Sequence, residues 1–185
     1  MFSGRAGQRI MLIGQAPGPV EQDVERPFAG RAGRQLVRWM VRAGFRDEAD
    51  FRDRVYITST TTCFPGRRPD GSGDRRPTPA EVGLCAPWLD GALEQLRPRL
   101  VITVGGLATS RVLGSGKLEA LVGHVFDGDD PHGVAVDGEP GERARLVLPL
   151  PHPSGQSRWL NDPARTALLD RALERLRPLL DWAQR

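Results

Sequence analysis

Four short apolar runs, each closed by a turn, constrain this chain more than any other feature. They are Arg9–Ile13 (RIMLI, before Gly14), Arg54–Thr60 (RVYITST), Leu100–Val104 (LVITV, before Gly105-Gly106) and Leu146–Leu150 (LVLPL, before Pro151). Their length and β-branched content mark strands, and runs this apolar belong to strands covered on both faces. Helical patterns separate them. Gly30–Ala43 carries Leu36, Val37, Met40 and Val41 and stops at Gly44. A helix from Pro79 to about Leu96 follows Thr78, with Leu84, Trp88 and Leu89 expected inward. Leu107–Leu113 and Pro163–Trp182 read as two more helices, Gly66–Pro79 as loop, and the Gly/Asp-rich Gly123–Glu142 as a hairpin or irregular excursion. The alternation predicts an α/β fold: a three-layer α/β/α sandwich around a central four-stranded, mostly parallel sheet, forming one domain over residues 1–185.

Composition narrows the function classes. At 185 residues with 39% apolar and 26% charged side chains, the chain is long enough to bury a core and is not of disordered type. No run approaches the ~20 apolar residues of a membrane span, and Met1–Arg5 opens no signal-peptide core, so a cytoplasmic protein is expected. Two cysteines exclude a disulfide scaffold and a self-contained four-thiolate metal site. The net charge is +3, carried by 25 arginines against the single lysine Lys117. Guanidinium forks suit phosphates, so an acidic partner such as nucleic acid fits, although a GC-rich genome produces the same bias.

In open parallel sheets, ligands bind at the carboxyl ends of the strands. Here those ends are Gly14–Gly18 (GQAPG), Ser59–Cys63, Gly105-Gly106 and Pro151–Gly155. A lone histidine is most often structural. His152, however, is bracketed by Pro151 and Pro153 directly after a strand, and the polar run Ser154-Gly155-Gln156-Ser157-Arg158 follows, suited to phosphate contacts. The turn Gly14-Gln15-Ala16-Pro17-Gly18 is suited to presenting backbone N–H groups to an anion or carbonyl, though a plain tight turn reads the same way. Phe28, between Pro27 and Gly30, fits a stacking platform and core packing equally. Other sites fail: Gly14–Gly18 is not a dinucleotide fingerprint, Arg111 and Leu118 spoil a phosphate loop at Gly114–Lys117, no G-x-S-x-G elbow exists, and His124, His132 and His152 lack metal-ligand spacing.

Taken in order, these pieces resemble the uracil-DNA glycosylase superfamily, nearest to its family 4 branch. Gly14–Gly18, Glu21 and Pro27–Gly33 (PFAGRAG) are similar to G-E-A-P-G…P-F-V-G-x-A-G. Val55–Cys63 resembles Y-I-T-N-V-V-K-C, Pro77–Glu81 with Cys85 resembles P-T-P-x-E…C, and Arg97–Ala108 resembles P-x-x-I-x-x-x-G-x-x-A. His152-Pro153-Ser154 is similar to the H-P-S motif, and its continuation to Arg158 looks more like N-P-S-G-L-S-R of the mismatch-specific branch. The resemblance runs from about Ile10 to Leu160.

It implies a monofunctional DNA glycosylase that hydrolyses the N-glycosidic bond of a flipped deaminated base, in base-excision repair. The implied partner is DNA with a damaged or mismatched base, met by a monomer near the nucleoid. His152 and the Gln15 and Ala16 amides would stabilise negative charge on the departing base, with Gly14, Pro17, Phe28 and Ser59 around it. Ser154, Gly155, Gln156, Ser157 and Arg158 would contact DNA, with Gln156 or Arg158 filling the gap left in the stack. The chain departs from the pattern in four places. Gln15 replaces a Glu, Ala16 stands where another branch has a water-orienting Asp, and Ser59 replaces an Asn that reads the uracil edge. Cys63 and Cys85 match only the later two ligands of a four-cysteine iron–sulfur cluster, so no cluster, no metal and no other cofactor is expected. A catalytically weak DNA-binding member is the alternative, and another small-molecule α/β enzyme a third reading.

Overall fold

A computed structural model describes residues 1–114, 116–130, 136, 144–155 and 158–185, the last stretch beginning with the backbone of Arg158. The elements run β1 (Ile10–Gly14), α1 (Pro19–Val24), α2 (Arg31–Ala43), α3 (Glu48–Arg54), β2 (Val55–Ser59), α4 (Pro79–Leu96) and β3 (Leu100–Val104). They continue with α5 (Gly106–Leu113), α6 (Leu118–Leu121), β4 (Phe126–Asp127), β5 (Leu146–Leu150), a 3-10 turn (Arg158–Asn161) and α7 (Pro163–Gln184).

Among the described residues the sheet has five strands, in the order β2-β1-β3-β5-β4. Four pair in parallel; the fifth, β4, pairs antiparallel with β5 through Phe126 and Val147. The expectation of four strands is therefore one short. Two residues among glycines and aspartates carry no periodic signal, and β4 forms only because β5 offers it an edge.

Alternate residues of each strand face opposite layers. Ile10, Leu12, Leu100, Ile102, Leu146 and Leu148 pack against Leu36, Trp39 and Met40 of α2, Phe51 of α3 and the apolar stripe of α7. Met11, Ile13, Val101 and Val147 pack against Leu89 of α4 and Ala108 of α5. These two buried clusters are the two interfaces of the sandwich.

Helix α4 corrects a second expectation. Of Leu84, Trp88 and Leu89, only Leu89 is buried; Leu84 is 78% and Trp88 73% exposed. The inward stripe is Leu89 with Ala92, Leu93 and Leu96, an i, i+3, i+4, i+7 set. Leu84 and Trp88 also share a face, but one rotated well away from Leu89. The helix start is as read: Thr78 caps the Glu81 amide, and Glu81 reaches back to the Thr78 amide at 2.7 Å.

Candidate active site

The chain passes from β1 outward to β2 and then returns across β1 to β3, so the topology switches direction between β1 and β3. A crevice opens at such a point beyond the carboxyl ends. Gly14 ends β1, with Gln15 and Ala16 half-buried and Pro17 buried just after it. Gly105 follows β3, and His152 follows β5 by one residue. The loops after β1 and β2 are joined: the Thr60 amide and hydroxyl both donate to the Gly14 carbonyl at 2.8 and 3.0 Å, and the Thr61 amide donates to the Gln15 carbonyl. Ser59, in register with Gly14, is buried beside this junction.

Phe28 is held unusually firmly. Its backbone has φ of 53°, a left-handed conformation that a bulky residue rarely adopts. Arg52 of α3 donates to the carbonyls of Pro27 and Phe28 at 3.1 and 3.2 Å, while its Nε reaches Glu48. Gly33 gives room: a β-carbon there would fall 1.7 Å from the Phe28 carbonyl oxygen. The ring then lies on Gly14, where a β-carbon would meet Phe28 Cζ at 2.9 Å.

Glu21 ties the loop before α1 to the loop before α2. One carboxylate oxygen accepts from the Gly18 amide at 3.1 Å and the other from the Gly30 amide at 2.8 Å. Sequence reasoning could not place Glu21. The structure gives both of its oxygens backbone partners, which makes it a brace for the glycine-proline turn and the Phe28 loop together.

His152 is half-buried, with its ring on Gly105: a β-carbon on that glycine would sit 3.3 Å from His152 Cδ2. The Ser154 amide donates to His152 Nδ1 at 3.2 Å, and the Ser154 hydroxyl lies 2.9 Å from the same nitrogen. An amide can only donate, so Nδ1 is an acceptor and the neutral ring carries its proton on Nε2. Burial pushes the imidazole pKa below its ordinary value, which favours that neutral form. Ser154, read from sequence as a phosphate contact, thus has its hydroxyl on the imidazole.

β1 and β5 are two interstrand spacings apart, which puts the His152 and Phe28 supports about 10 Å from each other along one edge of the sheet. Gly155 is exposed at the same edge. Gln156, Ser157 and the Arg158 side chain lie outside the described residues.

Two contributors escaped the sequence reading. Arg52 lies on a helix that was not foreseen, although Glu48 and Arg52 at i, i+4 were the available signal. The loop before α4 is the second. A β-carbon on Gly18 would lie 3.6 Å from Asp74, which brings this loop beside the glycine-proline turn, and Arg67, Arg68 and Arg76 are exposed on it. Arg75 anchors it with a two-pronged contact to Glu81 at 2.8 and 2.5 Å. That guanidinium, with the Thr78 amide, lowers the Glu81 pKa to about 2.

The cysteines do not fit an iron–sulfur cluster. Cys63 is exposed and Cys85 partly buried, with the Thr62 hydroxyl 3.8 and 3.6 Å from their sulfurs. Such a cluster takes four thiolates and this sequence has two cysteines. Among the described residues no group of three or more His, Cys, Asp or Glu could hold a metal ion, and no helix is long and apolar enough to cross a membrane.

A type-4 uracil-DNA glycosylase of Thermotoga maritima is 28% identical over 167 residues, covering 90% of this chain and 76% of the relative. A type-4 uracil-DNA glycosylase of Archaeoglobus fulgidus is 33% identical over 116 residues, 63% of this chain and 53% of its own. A type-5 uracil-DNA glycosylase of Pyrobaculum aerophilum is 34% identical over 120 residues, 60% of this chain and 50% of its own. The chain therefore spans from about half to three quarters of these relatives. The family model of the uracil DNA glycosylase superfamily matches residues 2–177, nearly the whole chain, and with the ordered strand-end motifs it shows that the chain belongs to that superfamily.

Proposed function

We propose that this chain is a monofunctional DNA glycosylase that hydrolyses the N-glycosidic bond of a flipped deaminated base, uracil or a related one, in base-excision repair. The observation that carries the reading is His152, poised as a neutral Nε2–H donor two strands from the ring of Phe28 on Gly14. Relatives named uracil-DNA glycosylases support the same chemistry.

Departure of the base leaves an oxocarbenium-like sugar and negative charge on the base. Phe28 stacks on the extruded base, a contact worth about 1–3 kcal/mol. His152 Nε2–H donates to a base carbonyl as charge develops there, and the Gln15 and Ala16 amides add to it. A donor preorganised in this way strengthens as charge grows and needs no proton of its own to move. The left-handed Phe28 backbone and the Glu21 brace fix the two sides before substrate arrives, so little ordering is left for the binding step. Gly14, Pro17 and Ser59 bound the base. The Ser59 hydroxyl cannot match the paired donor and acceptor of an amide, so discrimination for uracil is weakened and hypoxanthine or xanthine are candidate substrates.

DNA is gripped through Gly155, Gln156, Ser157 and Arg158, with Ser154 holding the imidazole and the exposed Arg67, Arg68 and Arg76 facing the phosphates. In this reading one chain acts alone on nucleoid DNA in the cytoplasm. Ala16 supplies no carboxylate and both oxygens of Glu21 are engaged by amides. That favours a second reading, a DNA-binding member of low activity.

Oligonucleotides bearing uracil, hypoxanthine or xanthine, single- and double-stranded, separate the two. Abasic product is expected from at least one, and His152→Ala should cut its formation by about a hundredfold or more with DNA affinity retained. Salt-sensitive DNA binding with no product from any base would establish the second reading instead.

A further inference from the structure

The four parallel strands all begin after an arginine. Register sets Arg9, Arg99 and Arg145 side by side just before β1, β3 and β5, while Arg54, the last residue of α3, leads into β2. Backbone bonds hold the row: the Arg99 amide donates to the Arg9 carbonyl at 2.8 Å, and the Leu146 amide to the Arg99 carbonyl at 2.7 Å. Neighbouring strands are about 4.8 Å apart, and like charges facing one another across strands are destabilising unless something of opposite sign meets them.

The two ends of the row are met within the protein. Arg54 reaches Asp50 at 3.6 Å and lies over the Phe45 ring, and Arg145 reaches Asp129 at 3.6 Å. The middle is not. Among the described residues neither Arg9 nor Arg99 has a carboxylate within salt-bridge distance, and neither does Arg97 beside them. Arg9, Arg97, Arg99 and Arg145 line one cleft of about 480 Å³, which also holds Glu94 and Asp129. Arg99 is stacked 4.2 Å over the Trp182 ring, which fixes its plane. The terminal nitrogens of Arg9, Arg97 and Arg99 have no carboxylate partner among the described residues, and an oxyanion offering several acceptors is the matching ligand for guanidiniums gathered around one cleft.

We propose that this cleft binds a di- or triphosphate group, as inorganic pyrophosphate or on a nucleotide. Its volume lies in the range of small-ligand sites. It opens at the amino ends of the strands, about 15 Å of strand away from the carboxyl-end site, so a DNA strand threading that site does not occupy it. The assignment does not depend on the glycosylase reading.

Titration calorimetry with inorganic pyrophosphate on the full chain tests it, at constant ionic strength and with sulfate as the control anion. Saturable one-to-one binding is expected, with affinity lowered about tenfold or more in the Arg9→Gln/Arg97→Gln double variant, whose replaced side chains are exposed. Melting curves of that variant confirm its fold. ADP in a parallel titration separates the sources: tighter binding than pyrophosphate marks a nucleotide, equal binding the phosphates alone. The proposal is overturned by no saturation up to about 10 mM pyrophosphate, by equal affinity for sulfate, or by equal affinity in the double variant. Loss of DNA binding in that variant without pyrophosphate binding to the parent would assign the row to DNA and overturn it too.

Discussion

Phe28 rests its ring on Gly14, so closely that a β-carbon on the glycine would come within 2.9 Å of Cζ and 3.1 Å of Cε2. The contact is at the far end of the ring, so Gly14→Ala should tilt the ring rather than break the sheet. Base release in single-turnover assays is expected to slow about fivefold, the lower end of a lost stacking contact of about 1–3 kcal/mol. The melting temperature should change little. An unaltered rate would mean the ring position is irrelevant to the reaction.

Arg52 joins two carbonyls on the Phe28 loop to Glu48 on its own helix. Arg52→Ala should lower unfolding free energy by about 1–3 kcal/mol, since the charged donors to those carbonyls disappear. Arg52→Lys should restore little of it, because an ammonium cannot span both carbonyls and the carboxylate. Urea unfolding of the two variants checks this; full recovery with lysine would reduce Arg52 to a surface charge.

Glu21 accepts one amide on each oxygen. Glu21→Gln keeps the shape but turns an NH2 toward one of those amides. A loss of about 1–2 kcal/mol is expected, together with faster hydrogen exchange at Gly18 or Gly30. Unchanged exchange at both would show that the brace is not needed.

Burial holds the His152 pKa below the ordinary value of about 6.5. The unfolded chain therefore binds this proton at a higher pH than the folded one does. The stability this group contributes is intact above about 6.5 and declines as pH falls from there toward the folded pKa. Nitrogen-15 chemical shifts of the ring should show a proton on Nε2 at neutral pH and a titration below the ordinary histidine range. Base release should stay level down to pH values where free histidine is already charged. A midpoint above about 6.5 would contradict the assignment.

Two cysteines on either side of a threonine hydroxyl hold no four-thiolate cluster. Purified protein should lack brown absorbance, and a chelator should leave its melting temperature unchanged. Stoichiometric iron by elemental analysis would refute this.

The sheet was readable where local composition decides structure. Leu100–Val104 and Leu146–Leu150 are strands over those residues, because short apolar runs bounded by turn residues bury both faces of a strand, even with Pro149 inside the second. Helices α1 and α3 were not readable. One buries nothing and the other only Phe51, so neither carries an apolar stripe. On α4 the pair Leu84 and Trp88 imitated an inward face that belongs to Leu89, Ala92, Leu93 and Leu96. At the candidate site, sequence grouped the strand-end loops together because a parallel sheet collects its carboxyl ends on one edge. It could not disclose the left-handed turn at Phe28 or the reach of Arg52, both made by contacts between distant segments.

The position of β1 inside the sheet, between β2 and β3, bears on how the chain is made. Its two neighbours, β2 and β3, are translated well after it, and β5 later still. An apolar segment with both hydrogen-bonding edges vacant therefore leaves the ribosome ahead of its partners and waits for them. Such long-range pairing is slow and exposes the nascent chain to aggregation. Synthesis of this protein should accordingly be most sensitive to temperature and to chaperone supply before residue 104 has emerged.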